Sequence, residues 1–248
     1  MTSRTTLAAG AACVLAVTIH AQTQPPAAQP QPTAVTHTAY SKNTELFAEW
    51  RPFVVGQATR LTAHLTRVGD RFKPYTEAKV TLTLAIEGAT SNAAADGPER
   101  PGVFRLNVTP TKAGTGRMII DVAAATGAEH FVIDDVPVYA TVQAALAKQT
   151  PAETGLVSYA KELSWDADFA TAPVMVHFPG AGRVITVRST ALVRNGAAVH
   201  IYVQRTPERF DFREVTIRRT FEDAIEITSG LTPTDRVVVR GAEKMPRP

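Results

Sequence analysis

Residues 79–88 read KVTLTLAIEG, and apolar side chains occupy every second position of this stretch. Successive side chains of an extended chain point to opposite sides, so the stretch predicts a strand with one buried face. The same alternation runs through RLTAHLTRV at 60–68 and GVFRLNVTP at 102–110. Such runs at short intervals, separated by glycine- and proline-rich turns, predict an antiparallel β-sandwich over residues 44–142. Four large apolar residues near its start are predicted to be mostly core: Phe47, Trp50, Phe53 and Val55.

A helix and a second β-rich part are predicted to follow the sandwich. The sequence TPAE at 150–153 has the pattern of a capping box with proline at the first helical position. Apolar residues at helical spacing continue to about Ser164, so residues 150–174 are predicted to be a linking helix and strand. Residues 175–248 return to alternating apolar runs, and Asn195-Gly196 is a strong tight-turn signal. We therefore predict a compact C-terminal β domain, and an all-β fold for the chain.

The first residues have the layout of a secretory signal peptide at 1–21. Arg4 precedes a run of small and apolar residues, which is shorter than the roughly 20 needed to span a bilayer. Cys13, the one cysteine of the chain, falls inside this run. The exported protein would then have no disulfide and no thiolate metal ligand. Residues 22–43, rich in proline, glutamine and alanine, are predicted to be a flexible tether.

The composition is that of a globular protein without a strong charge. Hydrophobic residues make up 44% of the chain and charged residues 20%, and the formal net charge is +3. Lysines and arginines are scattered and form no long run. A nucleic-acid partner is therefore not expected, because its electrostatic footprint is missing.

The sequence shows no motif of an enzyme. It contains no G-x-S-x-G element, no phosphate-binding P-loop and no H-E-x-x-H zinc motif,. Two carboxylate pairs, Asp134 with Asp135 and Asp166 with Asp168, are explained by turn chemistry at the ends of elements. We expect no catalytic residue and no cofactor.

Histidines are the best metal-ligand candidates, and His64 and His130 are the two that we single out. His64 is predicted to lie on the outward face of its strand, while His130 precedes a strand with two aspartates nearby. Neither belongs to an H-x-H or H-x₃-H pair, whereas a metal site normally takes three or four ligands. Each is expected to be an exposed or capping histidine unless folding gathers further ligands around it.

Several segments, taken in order, resemble one protein family. The pieces ELF, VVGQ, AHLT, FKP and TEAKVTL within 45–84 are similar to the N-terminal β domain of periplasmic adaptor (membrane-fusion) subunits of resistance–nodulation–division efflux pumps, especially the heavy-metal cobalt–zinc–cadmium branch. The segment LVSYAKELSWDADFATAPV at 156–174 looks like the helix and strand that follow this domain. STALVRNGAAVHIYVQ at 189–204 and IEITSGLTPTDRVVVRGAEKM at 225–245 resemble the end of the adaptor barrel and the membrane-proximal domain.

The resemblance implies a non-enzymatic periplasmic subunit that docks on an inner-membrane pump for heavy-metal cations. It also implies a homo-oligomer peripheral to the inner membrane and, in the family, a contact with an outer-membrane channel. Family members carry a lipoyl-like domain, usually with an α-helical hairpin, where only sixteen residues separate Val174 from Ala191 here. Because the family meets the channel through that hairpin, the channel contact is in doubt.

Two alternatives stay open at the level of sequence. The first is a stand-alone periplasmic metal-binding protein, a sensor or chaperone, that uses histidines gathered by folding. The second is an exported hydrolase or carbohydrate-binding β-sandwich. It would need an aromatic platform or an acid pair, and Trp50 and Trp165 are solitary.

Overall fold

The computed structural model describes residues 30–68, 72–151, 153–179 and 182–248. All elements given below belong to one compact unit, Gln31–Pro248. Within the described ranges, no helix combines the length and the apolar character needed to cross a membrane.

The segment predicted to be a tether contains the first strand. Its residues 22–29, like the signal peptide predicted at 1–21, lie outside the described residues. Val35–Tyr40 forms strand β1, which pairs antiparallel with β2 (Thr44–Trp50). The prediction of a flexible tether is therefore wrong for β1. Its threonines and valine favour extended backbone, and β2 supplies an edge to pair with, which composition alone does not reveal.

Two sheets form the predicted N-terminal β-sandwich. The first sheet contains β1, β2, β4 (Thr59–Arg67), β5 (Lys73–Pro74) and β8 (Val103–Val108). The second contains β3 (Phe53–Val54), β6 (Lys79–Ile86), β7 (Ala89–Ala95), β9 (Gly114–Ala124) and β10 (Gly127–Tyr139). Their orders are β1-β2-β4-β5, with β8 also on β4, and β3-β10-β9-β6-β7. The pairings are antiparallel except that of β3 with β10.

The alternation seen in the sequence gives this sandwich its core. The residues that β4 and β6 contribute to it are Leu61, Ala63, Leu65, Val80, Leu82, Leu84 and Ile86. Phe47, Trp50 and Phe53 are buried as predicted, and Val55 is half-buried. Trp50 and Phe53 belong to the core, whereas Phe47 lies outside that cluster and its ring is 5.4 Å from the ring of His64.

The two helices of the described residues are short: α1 (Val142–Lys148) and α2 (Lys161–Asp166). The predicted capping box at 150–153 starts neither of them, so the predicted start of the linking helix is wrong. Gly155 has a φ of +75°, a left-handed conformation that interrupts a helix,. Leu163, one of the apolar residues at helical spacing before Ser164, is 53% exposed. The apolar spacing after residue 153 covers too few residues to stabilise a helix by itself, so tertiary packing decides the conformation of this segment.

Two further sheets form the C-terminal β part. One contains β11 (Val157–Ser158), β12 (Ala170–Pro173), β15 (Val193–Asn195), β16 (Ala198–Thr206), β17 (Arg209–Glu214) and β20 (Arg236–Arg240). The other contains β13 (Met175–His177), β14 (Val184–Arg188), β18 (Thr216–Thr220) and β19 (Ala224–Ser229). Their orders are β11-β17-β16-β20-β12, with β15 also on β16, and β13-β14-β19-β18.

The C-terminal part begins earlier than predicted. Strands β11 and β12 come from the predicted linking segment 150–174, yet they pair with β17 and β20. The predicted boundary at 175 is therefore wrong, because both outer strands of this sheet come from before that residue and the inner strands from after it. The turn at Asn195-Gly196 joins β15 to β16 as predicted, with a φ of +61° at the glycine. The fold is all-β, as the alternating runs predicted.

Candidate functional site

The richest group of buried polar side chains lies on the outer face of the first sheet. Because side chains alternate along β2 and β4, the residues between the core positions point away from the sandwich interior. This outer face comprises Glu45, Phe47, Glu49, Thr62, His64 and Thr66. Helix α2 and the turn between β16 and β17 pack against it. We call this contact the junction.

Trp165 of α2 anchors the junction. Its side chain is buried, and its Nε1 donates a hydrogen bond of 2.9 Å to Oγ1 of Thr66. Its ring lies beside Gly102, which has a φ of +80°. A Cβ atom at Gly102 would come within 2.7 Å of both Trp165 Cζ2 and Pro74 Cβ. A glycine is therefore required here both by backbone conformation and by the close approach of the indole.

A buried ion pair crosses the junction. Lys161 Nζ contacts Glu45 Oε1, and the two side chains are only 2% and 1% exposed. Tyr40 Oη donates a hydrogen bond of 2.8 Å to Glu45 Oε2. Burial raises the pKa of Tyr40, and the adjacent Glu45 carboxylate raises it further. The carboxylate of Glu45 is thus held between a lysine of α2 and a tyrosine of β1.

His64 lies at the centre of a carboxylate cluster. One nitrogen of its ring and one carboxylate oxygen each of Glu162 and Glu208 lie within 4.8 Å of one another. A third carboxylate is adjacent, since Glu49 Oε2 is 3.7 Å from His64 Nε2. These side chains come from β4, from α2, from the β16–β17 turn and from β2. The arrangement is a group of oxygen and nitrogen donors around one imidazole, which is a donor set for a divalent cation.

Burial controls the ionisation of this cluster. It lowers the pKa of His64 to about 4, against the opposing effect of the Glu162 carboxylate. It raises the pKa of Glu49 to about 7, and the carboxylates of Glu208 and Glu162 raise it further. Burial also raises the pKa of Glu208. At neutral pH the imidazole is therefore uncharged, which is the form that binds a metal.

The cluster borders an open cleft of about 840 Å³. Glu49 and Glu208 line it, together with residues of β1 and β16 and the start of β17. The cleft gives small solutes access to the carboxylates of Glu49 and Glu208.

The structure separates the two histidines that the sequence singled out. The prediction that His64 is exposed on an outward face is wrong: the residue is 4% exposed because α2 covers that face. His130 is exposed, and its Nδ1 lies 2.6 Å from Asp121 Oδ1. It is not part of the His64 cluster. Among the carboxylate pairs, Asp134 contacts Arg117 at 2.6 Å, an ordinary surface ion pair.

The partners of His64 were missed by reasoning from the sequence. Glu162 and Glu208 are distant from His64 along the chain, and neither forms a spaced motif with it. Neither the segment SYAKELSW nor the Thr-Pro-Glu turn before β17 contains a signal that connects its glutamate to His64. Only the packing of α2 and the β16–β17 turn against the outer face brings them together.

Comparison of the chain with protein families, with curated proteins and with solved structures finds no match.

Proposed function

We propose that the protein is a non-enzymatic, periplasmic, adaptor-like subunit of a heavy-metal efflux system, and that it docks on the inner-membrane pump. In this role the chain exposes interaction surfaces and performs no reaction. The two β parts, which meet at the junction, would form the body that contacts the pump. The assembly would contain several copies of the chain, as the resemblance to the adaptor family implies.

One observation carries this proposal: the segments that resemble the adaptor family meet in space at the junction. Glu45 of the ELF segment pairs with Lys161 of the LVSYAKELSW segment. Thr66 of the AHLT segment accepts the hydrogen bond from Trp165 of that same segment. Lys73 of the FKP segment donates a hydrogen bond of 2.8 Å to the carbonyl oxygen of Trp165.

The LVSYAKELSW segment is distant along the chain from the ELF, AHLT and FKP segments that it contacts. Here four short pieces, scattered along the chain, supply the buried ion pair and the indole anchor of one contact. Their convergence supports the interpretation that they descend as a structural unit from an adaptor, in which the junction fixes the N-terminal sandwich to the C-terminal β part.

The proposal is tested by cross-linking in the native cell envelope. The full chain is tagged at its C-terminus, cross-linked in intact cells, purified under denaturing conditions and analysed by mass spectrometry. An unrelated tagged protein exported to the same compartment serves as the control for non-specific capture.

Enrichment of a resistance–nodulation–division pump subunit with this chain, and not with the control, is the expected result. Co-enrichment of an outer-membrane channel would show that the channel contact persists without the hairpin. Recovery of this chain with no pump subunit would overturn the proposal.

A further inference from the structure

We propose that His64, Glu162 and Glu208 bind one divalent cation of the zinc or cobalt class at the junction. This inference goes beyond docking on a pump, because an isolated chain would already bind the cation. The metal-binding experiment and the cross-linking experiment can therefore give negative results independently of each other.

The first support is the geometry of the donors. A zinc ion bound by histidine and carboxylate lies about 2.0–2.2 Å from each ligand atom, which places tetrahedral ligands about 3.4 Å apart. The donor atoms of His64, Glu162 and Glu208 lie within 4.8 Å of one another. Shifts of about 1 Å, within the reach of glutamate rotamers, would close the site.

The second support is an unsatisfied nitrogen. The side chain of His64 is 5% exposed. Its Nδ1 is buried without a hydrogen-bond partner among the described residues. A buried polar atom left unpaired costs about 1–3 kcal/mol, and a bound ion is one partner that would satisfy it. The neighbouring rings of Phe47 and Trp165 hold the imidazole in place.

The carboxylates are also held in position. Glu208 Oε1 accepts a hydrogen bond of 2.6 Å from the backbone N–H of Lys161, and Glu162 Oε1 contacts Arg100 Nη2. Each contact uses one oxygen and leaves the other for a ligand. Partners of this kind orient metal ligands and are a regular part of metal sites.

The local charge favours a divalent cation. The charged groups that contact or perturb the ligands are four carboxylates and two cations, namely Glu45, Glu49, Glu162, Glu208, Lys161 and Arg100. When all are ionised, two negative charges remain without compensation. A bound divalent cation would neutralise them.

The donor type selects the class of metal. One imidazole with carboxylate oxygens suits zinc and cobalt, whereas monovalent copper prefers thiolate and thioether sulfur. Glu49 lies next to His64 and lines the cleft, so it is placed to complete the coordination or to guide the cation inwards.

The test is a titration of the purified full chain with Zn²⁺ against a fluorescent chelator, repeated with Co²⁺ while its visible absorption is recorded. Four variants are compared with the unmodified chain: Glu162→Gln, Glu208→Gln, His64→Gln and His130→Asn. The last is the matched control, because His130 is an exposed histidine that already contacts a carboxylate. Circular dichroism and thermal unfolding with a chelator present verify that each variant folds.

The expected result is one Zn²⁺ per chain, with affinity lowered at least about tenfold in each of the first three variants. The His130→Asn variant should bind normally, and bound Co²⁺ should give the intense absorption of a low-coordinate site. Absence of stoichiometric binding would overturn the proposal. So would binding that survives in folded Glu162→Gln and Glu208→Gln, or that disappears in His130→Asn.

Discussion

Replacing Lys161 by methionine should destabilise the fold strongly, because it breaks the ion pair with Glu45 inside the junction. Both side chains are almost fully buried. Removing one partner of such a pair leaves an uncompensated buried charge and costs about 3–5 kcal/mol. For a chain of this size the loss corresponds to a fall of roughly 6–20 °C in Tm.

Two further variants make this prediction specific. Glu45→Gln in the Lys161→Met background removes the unpaired carboxylate charge. The glutamine still offers an oxygen that accepts the hydrogen bond from Tyr40, so most of the lost stability should return. The control is Lys112→Met, which breaks the pair with Glu87. That pair has a distance of 3.0 Å and side chains that are 46% and 62% exposed. This exposed pair should contribute less than about 1 kcal/mol.

The free energy of unfolding of the four proteins is measured by urea denaturation, followed by tryptophan fluorescence, since Trp165 lies in the junction. The reasoning is refuted if Lys161→Met costs no more than Lys112→Met, or if the double variant is as unstable as Lys161→Met alone. Either result would mean that the buried pair does not hold the junction together.

Other predictions concern the same region, and unfolding in urea with a chelator present measures them all. Glu49, whose pKa is raised to about 7, stays protonated to a higher pH in the folded state than in the unfolded state. The contribution of Glu49 to stability should therefore fall as pH rises from about 4.5 to 7, and Glu49→Gln should lack that contribution and be the more stable protein at pH 8. His64, whose pKa is lowered to about 4, contributes the opposite dependence: its contribution to stability should fall as pH drops from 6.5 towards 4, and comparison with His64→Gln should isolate it,. Gly102→Ala should cost several kcal/mol through the clash with Trp165, whereas Gly56→Ala, with a φ of +73° and open space around it, should cost only about 1–3 kcal/mol,.

The strands of the sandwich could be predicted because their signal is local. In 79–88, the large apolar residues Val80, Leu82, Leu84 and Ile86 occupy every second position, and that order alone fixes which face is buried,. The burial of β6 follows it residue by residue. Strand β1 was missed because its signal depends on β2, the strand beside it, and proline-rich sequence upstream outweighed a short run of threonines.

The junction could not be predicted, because the sequence does not show what covers the second face of a sheet. Alternation correctly placed His64 opposite the core side chains of β4. The inference that such a residue is exposed assumed an open outer face, and α2 covers it instead. Glu162 and Glu208 become its neighbours only through that packing, so no spacing rule could have connected the three residues.

The most direct measurement of the account is a crystal structure of the protein soaked in a zinc salt, with anomalous diffraction recorded on both sides of the zinc absorption edge. We predict one strong anomalous peak at the junction, within about 2.0–2.2 Å of a His64 ring nitrogen and of carboxylate oxygens of Glu162 and Glu208. Peaks confined to surface sites such as His130 with Asp121, and none beside His64, would contradict it.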